Sequence, residues 1–204
     1  MSAPTTPAPA SSFYKPASDP VLIEVPAFDF VMVDGRGDPR HGPAFQEAIS
    51  AVYSFSYPVV IALKHAGRDD LRVGPLEALW WADEVSVFDP ATEDRAAWQW
   101  TVMIRQPDDI PADALAASWR SVVNKVGADV AQRVRLARFD EGLCVQLMHI
   151  GPYSEECPRI AAMHDFVAGQ GLRLRGRHHE IYLTDPRHSL PSKMRTILRH
   201  PVDE

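Results

Sequence analysis

Cysteines are few in this sequence of 204 residues, and long hydrophobic runs are missing. Its two cysteines, Cys144 and Cys157, match no metal-binding or redox spacing, so we expect reduced thiols in a cytoplasmic protein, with a disulfide between them as the alternative. No segment approaches the ~20 apolar residues of a membrane-spanning helix, which predicts no membrane partner. Residues 1–12 also lack the basic start and apolar run of a secretory signal. We therefore predict a flexible N-terminal segment over residues 1–20 and a single domain over residues 21–204.

Positive charge is scarce as well. The chain has 21 Lys and Arg against 27 Asp and Glu, a net charge of −6, which argues against direct nucleic-acid binding because that affinity comes mostly from cations that neutralise phosphates. The GxSxG, P-loop and GxGxxG patterns are absent, and the eight histidines show no HExxH-like spacing. His178 and His179 are adjacent on a predicted strand, so their side chains point apart. These absences predict no metal and no cofactor.

What the sequence does contain is an ordinary globular composition and a weak internal repeat. Hydrophobic residues make up 46% of the chain and charged residues 24%, which suits a soluble protein with a real core. Twice, a strand runs into a glycine-containing turn, a helix and then two strands. The predicted elements are strand 28–34, helix 43–65 and strands 73–81 and 98–105, then strand 143–150, a helix with Ser154 as N-cap and Ile160, Met163 and Val167 inward, and strands 180–184 and 196–202. This pattern predicts an α+β fold in which two pseudo-symmetric β-α-β-β modules form a curved antiparallel sheet, with helices on one side and a central ligand cleft.

Four local features carry specific expectations. Pro58 predicts a kink or break in the first helix. Strands 134–139 and 143–150 flank Asp140-Glu141-Gly142 and predict a hairpin. Between the modules we predict a helix over residues 111–126 that ends at Gly127, and Phe13-Tyr14 suggests an arm that docks on the body. A short extra strand is predicted over residues 85–88.

The strand that begins at Glu180 draws attention as a site. Side chains alternate along a strand, so Glu180 and Tyr182 share one face while Ile181 and Leu183 form the core side. Two interpretations remain open from the residues. The pair lies on a solvated face, which is the commoner fate of such residues, or it forms the polar floor of a pocket. In a pocket, Glu180 is a suitable general base near neutral pH.

Aromatic residues concentrate in the elements that this fold brings to the centre. Core packing explains most of them singly. Several together with one carboxylate suit a hydrophobic aromatic or cationic small molecule, held by stacking and cation–π contact. The residues concerned are Trp80, Trp81, Trp98, Trp100, Tyr53, Tyr57, Tyr153 and Tyr182.

Five motifs, in this order, resemble the GyrI-like small-molecule-binding proteins, and more narrowly their stand-alone subgroup. They are Pro75-Leu-Glu-Ala-Leu-Trp80, Thr101-Val-Met-Ile-Arg-Gln-Pro107, Glu141-Gly-Leu-Cys-Val-Gln146, His149-Ile-Gly-Pro-Tyr-Ser154 and His179-Glu-Ile-Tyr-Leu-Thr-Asp-Pro-Arg187. The resemblance covers nearly the whole chain and implies two β-α-β-β modules. In multidrug-responsive regulators of this kind, a buried glutamate on a late strand meets cationic aromatic drugs between aromatic rings. Glu180 matches that position.

Some stand-alone members that resemble this chain are hydrolases, which open the cyclopropane of DNA-alkylating cyclopropanoid natural products by adding water. By that resemblance Glu180 activates the water and Tyr53 helps to position it. The resemblance also implies that Trp80 and Tyr153 line the pocket. We further predict Tyr57, Trp100, Met103 and Tyr182 as ligand-binding residues. It adds no cofactor.

Other functions remain open from the sequence. The same pocket suits a non-catalytic multidrug-binding sensor or sequestrant. A gyrase-inhibitor-like interaction protein is a third hypothesis, which the net charge of −6 allows but which no dense acidic stripe supports. Haem binding is weaker still, because no histidine stands out as an axial ligand. The sequence allows a monomer or a homodimer.

Overall fold

The structure, a computed structural model, describes residues 13–82 and 95–204 of the chain, and these residues form three α-helices and nine β-strands. The elements are β1 (Val21–Val25), β2 (Phe28–Arg36), α1 (Pro43–His65), β3 (Leu76–Trp81), β4 (Gln99–Arg105), α2 (Ala112–Ala131), β5 (Val134–Phe139), β6 (Gly142–Ile150), α3 (Cys157–Gly169), β7 (Arg173–Leu174), β8 (His178–Tyr182) and β9 (Arg195–Asp203). The predictions for residues 1–12 and for a strand at 85–88 lie outside the described residues. No helix within the described ranges is long and apolar enough to cross a membrane.

The chain divides into two compact units, and each contains one of the predicted modules. The first unit is Phe28–Phe139; the second consists of the residues up to Ala27 together with Asp140–Glu204. In the first unit the order β2, α1, β3, β4 is the predicted strand, helix and two strands. In the second unit β6, α3, β8 and β9 repeat it, with the two-residue strand β7 added. The predicted α+β class is confirmed.

Strands of the first unit pair antiparallel in the order β3, β4, β2, β5. Alternate residues of these strands form a core of Phe30, Met32, Leu79 and Met103. Helix α1 packs on β2 and β4, and α2 packs along α1. The backbone of Gly127 leaves the helical region at φ 78° and ψ 169°, which ends the predicted helix where expected, and one further turn continues to Ala131.

Helix α1 runs without interruption through Pro58, so of the predicted kink or break the break is wrong, and a kink stays a prediction. Proline cannot donate the hydrogen bond that the carbonyl of Ser54 would accept, and this loss affects one bond. On either side of it, Phe55 and Val59 are completely buried on the face that α1 presents to the unit. Burial of that continuous stripe keeps the helix in one piece.

Strands of the second unit pair antiparallel in the order β1, β6, β9, β8, and β7 adds to β9. Helix α3 covers an apolar core whose buried members include Leu147, Met163 and Leu198. The predicted inward residues Ile160, Met163 and Val167 are all buried there. On the opposite face Tyr14 packs against a second cluster of Met148, Ile181 and Ile197, and Phe13 is buried, so the predicted docking of the arm is confirmed.

The predicted hairpin between β5 and β6 is wrong. Strand β5 pairs with β2, whereas β6 pairs with β1 and β9. Each module gains one extra strand, which pairs with the first strand of the module. In the first unit β5 pairs with β2, and in the second unit β1 pairs with β6. The connection at Asp140-Glu141-Gly142 therefore leads from one unit to the other, and the glycine takes φ 63°.

Ser154 does not cap α3, contrary to prediction. Tyr153–Glu155 form a short 3-10 turn, and Glu156 is the N-cap residue of a helix that begins at Cys157. Pro158, in the first helical turn, needs no hydrogen-bond acceptor there and fixes the start. Cys144 and Cys157 are both free thiols, so the disulfide alternative does not form.

Candidate functional site

Strand β8 begins two residues earlier than predicted, at His178, because the two histidines are also buried and extend the strand. Its register on β9 places Glu180 opposite Leu198 and Tyr182 opposite Thr196. Alternation puts His178, Glu180 and Tyr182 on the face that Leu198 shares with α3. The opposite face carries His179 and Ile181.

Glu180 is buried, with 7% of its surface exposed, so the interpretation as part of a solvated face is wrong, and a pocket at Glu180 stays a prediction. The Tyr182 hydroxyl donates a hydrogen bond of 2.7 Å to Oε2 of Glu180. Oε1 lies 3.6 Å from Nε2 of His178. The carboxyl is thus flanked by a phenol on one oxygen and an imidazole on the other.

Tyr153 and Glu156 stand next to this pair. The rings of Tyr153 and Tyr182 meet edge to face, with 5.6 Å between their centres. Burial, and then the Glu180 carboxylate, raises the pKa of Tyr182 well above its ordinary value. The same two causes raise the pKa of Tyr153. Both phenols therefore stay protonated at neutral pH, and the Tyr182 hydroxyl is the one that donates to Glu180.

On the other face of β8, buried charges form a closed network. Nη1 of Arg199 donates to Oε2 of Glu141 at 2.9 Å, and Oε1 of Glu141 lies 2.9 Å from Nδ1 of His179. Arg199 also donates to Oε1 of Gln146 and, at 2.8 Å, to the carbonyl of Phe13. Burial opposes ionisation of Glu141, but His179 and Arg199 outweigh it and lower its pKa to about 2. On the face of β8 opposite Glu180, this network links His179 to Arg199 of β9. It also holds the N-terminal arm to β9.

Three histidines continue the polar face away from Glu180. The ring of His178 lies 5.8 Å from that of His200 on β9, and His200 lies 6.0 Å from His164 on α3. Burial, and then the neighbouring histidines, lowers the pKa of His200 to about 3. Burial likewise lowers the pKa of His164. Among the described residues, no group of three or more His, Cys, Asp or Glu side chains is arranged to hold a metal ion.

Acid is expected to destabilise the fold in two pH windows. The folded pKa of His200 is about 3 against an ordinary 6.5, so the unfolded chain binds the proton more tightly. The free energy of unfolding should fall as pH drops through that interval, by at most about 1.4 kcal/mol per pH unit. Glu141, at about 2 against 4.5, adds a loss below pH 4.5 with the same sign.

Urea unfolding at stepped pH measures both windows. His200→Phe should reduce the slope between pH 6.5 and 4.5, where His164 also contributes because its pKa is lowered, and should leave the Glu141 window intact. A wild-type protein whose stability is flat between pH 6.5 and 4.5 would contradict this account of His200.

The predicted aromatic residues of the first unit form their own cluster. Phe45 of α1 stacks on Trp80 at 5.5 Å and meets Trp100 edge to face at 5.0 Å. Trp98 meets Trp80 at 5.7 Å. Trp100 crosses the backbone at Gly35, where an added Cβ would come within 2.0 Å of the indole ring, and its N–H donates to the Gly37 carbonyl.

The remaining predicted residues differ in exposure. Tyr53 is half-buried and stacks on Tyr57 at 5.9 Å, while Tyr57 is 55% exposed. Met103 is fully buried in the core of the first unit. Met103 and Trp100 therefore have a packing role already, and their ligand contacts stay predictions.

Sequence reasoning missed two members of the Glu180 neighbourhood. His178 lies two residues before Glu180 on the same strand, so strand alternation alone could have placed both on one face. Glu156 is the N-cap residue of α3 and is also buried. No local signal identifies its proximity to Tyr153 and Tyr182, since that depends on how α3 packs.

Comparison with known proteins agrees with this fold. A family model described as the GyrI-like small molecule binding domain matches residues 18–202. The chain is 40% identical to an uncharacterized conserved protein from Listeria innocua, with a TM-score of 0.83 and coverage of 95% of this chain and 97% of that one. It is 41% identical to a protein from the same organism described as a hydrolase, with a TM-score of 0.79 and coverage of 95% and 96%. No curated protein matches significantly.

The C-terminal domain of EcmrR is a more distant structural neighbour, 11% identical to this chain with a TM-score of 0.55. The match covers 91% of this chain and 98% of that one, and it shows a similar fold only. The family model covers nearly the whole chain, and the resemblance seen in its five motifs is confirmed. The protein belongs to the GyrI-like small-molecule-binding family.

Proposed function

We propose that this protein binds hydrophobic aromatic small molecules and hydrolyses DNA-alkylating cyclopropanoids, with Glu180 as the general base. The observation that carries the proposal is a buried carboxyl group held at 2.7 Å by a phenol that stays protonated. The description of a Listeria relative at 41% identity as a hydrolase supports it. Detoxification in the cytoplasm is the role that follows from such a reaction.

The reaction requires the protein to position a water molecule and to supply a general base. A strained cyclopropane is already electrophilic, so a water molecule aimed at a ring carbon needs only to lose its proton. Glu180 takes that proton, the water oxygen bonds to carbon, and one ring C–C bond breaks. The electron pair of that bond moves into the attached conjugated system and finally takes up a proton. One water is added overall.

Tyr182 orients the base. Its hydrogen bond fixes one carboxyl oxygen, so the other lone pairs of Glu180 point in a defined direction. Tyr153, edge to face with Tyr182, adds an aromatic surface against which a flat ligand can stack. We also propose that Tyr53 positions the water and that Trp80 lines the pocket, as the family resemblance implies, and that Tyr57, Trp100 and Met103 contact the ligand.

Product analysis separates hydrolysis from simple binding. Wild-type protein is incubated with a synthetic cyclopropanoid, and the mixture is examined by mass spectrometry while tryptophan fluorescence follows binding. Hydrolysis predicts catalytic amounts of a product heavier by one water mass. Saturable quenching without that product would overturn the hydrolase proposal and leave a sequestrant.

A further inference from the structure

The surroundings of Glu180 raise a question about the proton that it accepts. Within the second unit, Oε2 receives a hydrogen bond from Tyr182, whose phenol stays protonated and so cannot take the proton. Oε1 faces Nε2 of His178 at 3.6 Å. His178 is almost completely buried, so it cannot release a proton directly to bulk water.

Beyond His178 the row of imidazoles leads outward. His200 follows at 5.8 Å between ring centres and His164 at a further 6.0 Å, which are separations of rings in contact. His178 and His200 are buried, whereas His164 on α3 is only half-buried. The row thus begins at the buried carboxyl group and ends at the surface of α3.

Chemistry favours transfer over a structural role for these rings. A neutral imidazole can accept a proton on one nitrogen and give one from the other. Nδ1 of His200 and Nε2 of His164 are buried and meet no hydrogen-bond partner among the described residues. A packed core would satisfy such atoms or replace the residues by apolar ones. The histidines are also not arranged as a metal site within the described ranges.

We propose that His178, His200 and His164 form a proton path between Glu180 and the surface of α3. The inference rests on the proposed hydrolysis and deepens it. After Glu180 takes a proton from water, Oε1 gives it to His178, and the row delivers it to solvent at His164. The water oxygen stays on the substrate carbon, and the electron pair of the broken C–C bond takes a proton from solvent, so one water is added in total.

The charged and polar groups around His178, His200 and His164 are compatible with short-lived protonation of these rings. The groups that face it are Glu180 beside His178, Glu141 and the Arg175 backbone near His200, and Asp165 beside His164. With a pKa of about 3, His200 is protonated in only about one molecule in 10⁴ at pH 7. Because His200 rests neutral at that pH, it passes a proton onward and does not store it.

The test compares turnover of a synthetic cyclopropanoid by wild type, His178→Ala and His188→Ala. His188 is an exposed histidine of the same unit, paired with Asp185, and serves as the matched control. His178→Ala should lower kcat by about 10-fold or more with KM nearly unchanged. Added imidazole should restore part of kcat, whereas pyrrole, which has the same size but no basic nitrogen, should not. Equal rescue by both, or full activity of His178→Ala, overturns the path.

A second measurement keeps the inference testable if His178→Ala does not fold. The ring-nitrogen NMR signals of His178 and His200 are compared between wild type and Glu180→Gln. Coupling predicts shifts at both histidines and none at His188, and unchanged signals contradict it. Failure of the hydrolase proposal is recognised separately, because wild type itself would then form no hydrated product.

Discussion

Glu180→Gln is expected to lower kcat for cyclopropanoid hydrolysis by about 10²–10⁴-fold, the range that a positioned general base contributes. Glutamine keeps the size of the side chain and can still accept the Tyr182 hydrogen bond on its amide oxygen. It cannot take a proton from water. Binding of a planar aromatic compound, followed by tryptophan fluorescence, should therefore persist while turnover is lost.

Glu24→Gln is the matched control for this substitution. Glu24 lies on β1 of the same unit and is exposed, so the same chemical change occurs away from β8. Wild-type turnover is expected in this variant. Retention of full turnover by Glu180→Gln would remove Glu180 from the mechanism, and loss of binding together with turnover would indicate a role in ligand affinity.

Arg199→Met is expected to lower the free energy of unfolding by about 3–5 kcal/mol, the cost of removing one partner from a buried ion pair. Arg199 and Glu141 are each only 3% exposed. Without the guanidinium, Glu141 retains His179, and the Gln146 oxygen and the Phe13 carbonyl lose a donor. Unfolding in urea, followed by circular dichroism, measures the effect.

A double substitution tests the cause. Arg199→Met with Glu141→Gln removes both charges, so it should be less destabilised than the sum of the two single variants. Arg195→Met provides the control, because Arg195 lies at the exposed start of the same strand and is expected to change stability by less than about 0.5 kcal/mol. A cost for Arg199→Met no larger than that of Arg195→Met would show that the network contributes little.

Strand alternation and the internal repeat could be predicted from the sequence because both depend on residues that are close together along the chain. The period of two places Glu180 and Tyr182 on one face wherever the strand lies, and the hydrogen bond between them follows from it. The two β-α-β-β modules likewise follow from hydrophobic period and turn residues. Pro58 shows the limit of local rules, since burial of Phe55 and Val59 outweighs one lost hydrogen bond.

Pairing partners depended on features that a local pattern does not contain. Strands 134–139 and 143–150 flank a short connection that looks like a hairpin, yet β5 pairs with β2 and β6 with β1 and β9. A turn signal states that the chain changes direction, and it does not state which strand it will join.

By itself, the sequence determined the element order, the α+β class and the face that Glu180 shares with Tyr182. Only the tertiary structure decided that Glu180 is buried, that Glu141 and Arg199 compensate each other behind β8, and that His178, His200 and His164 meet. The physical reason is that burial and charge pairing are set by side chains from several separate elements. Their distances exist only once β8, β9 and α3 have packed together.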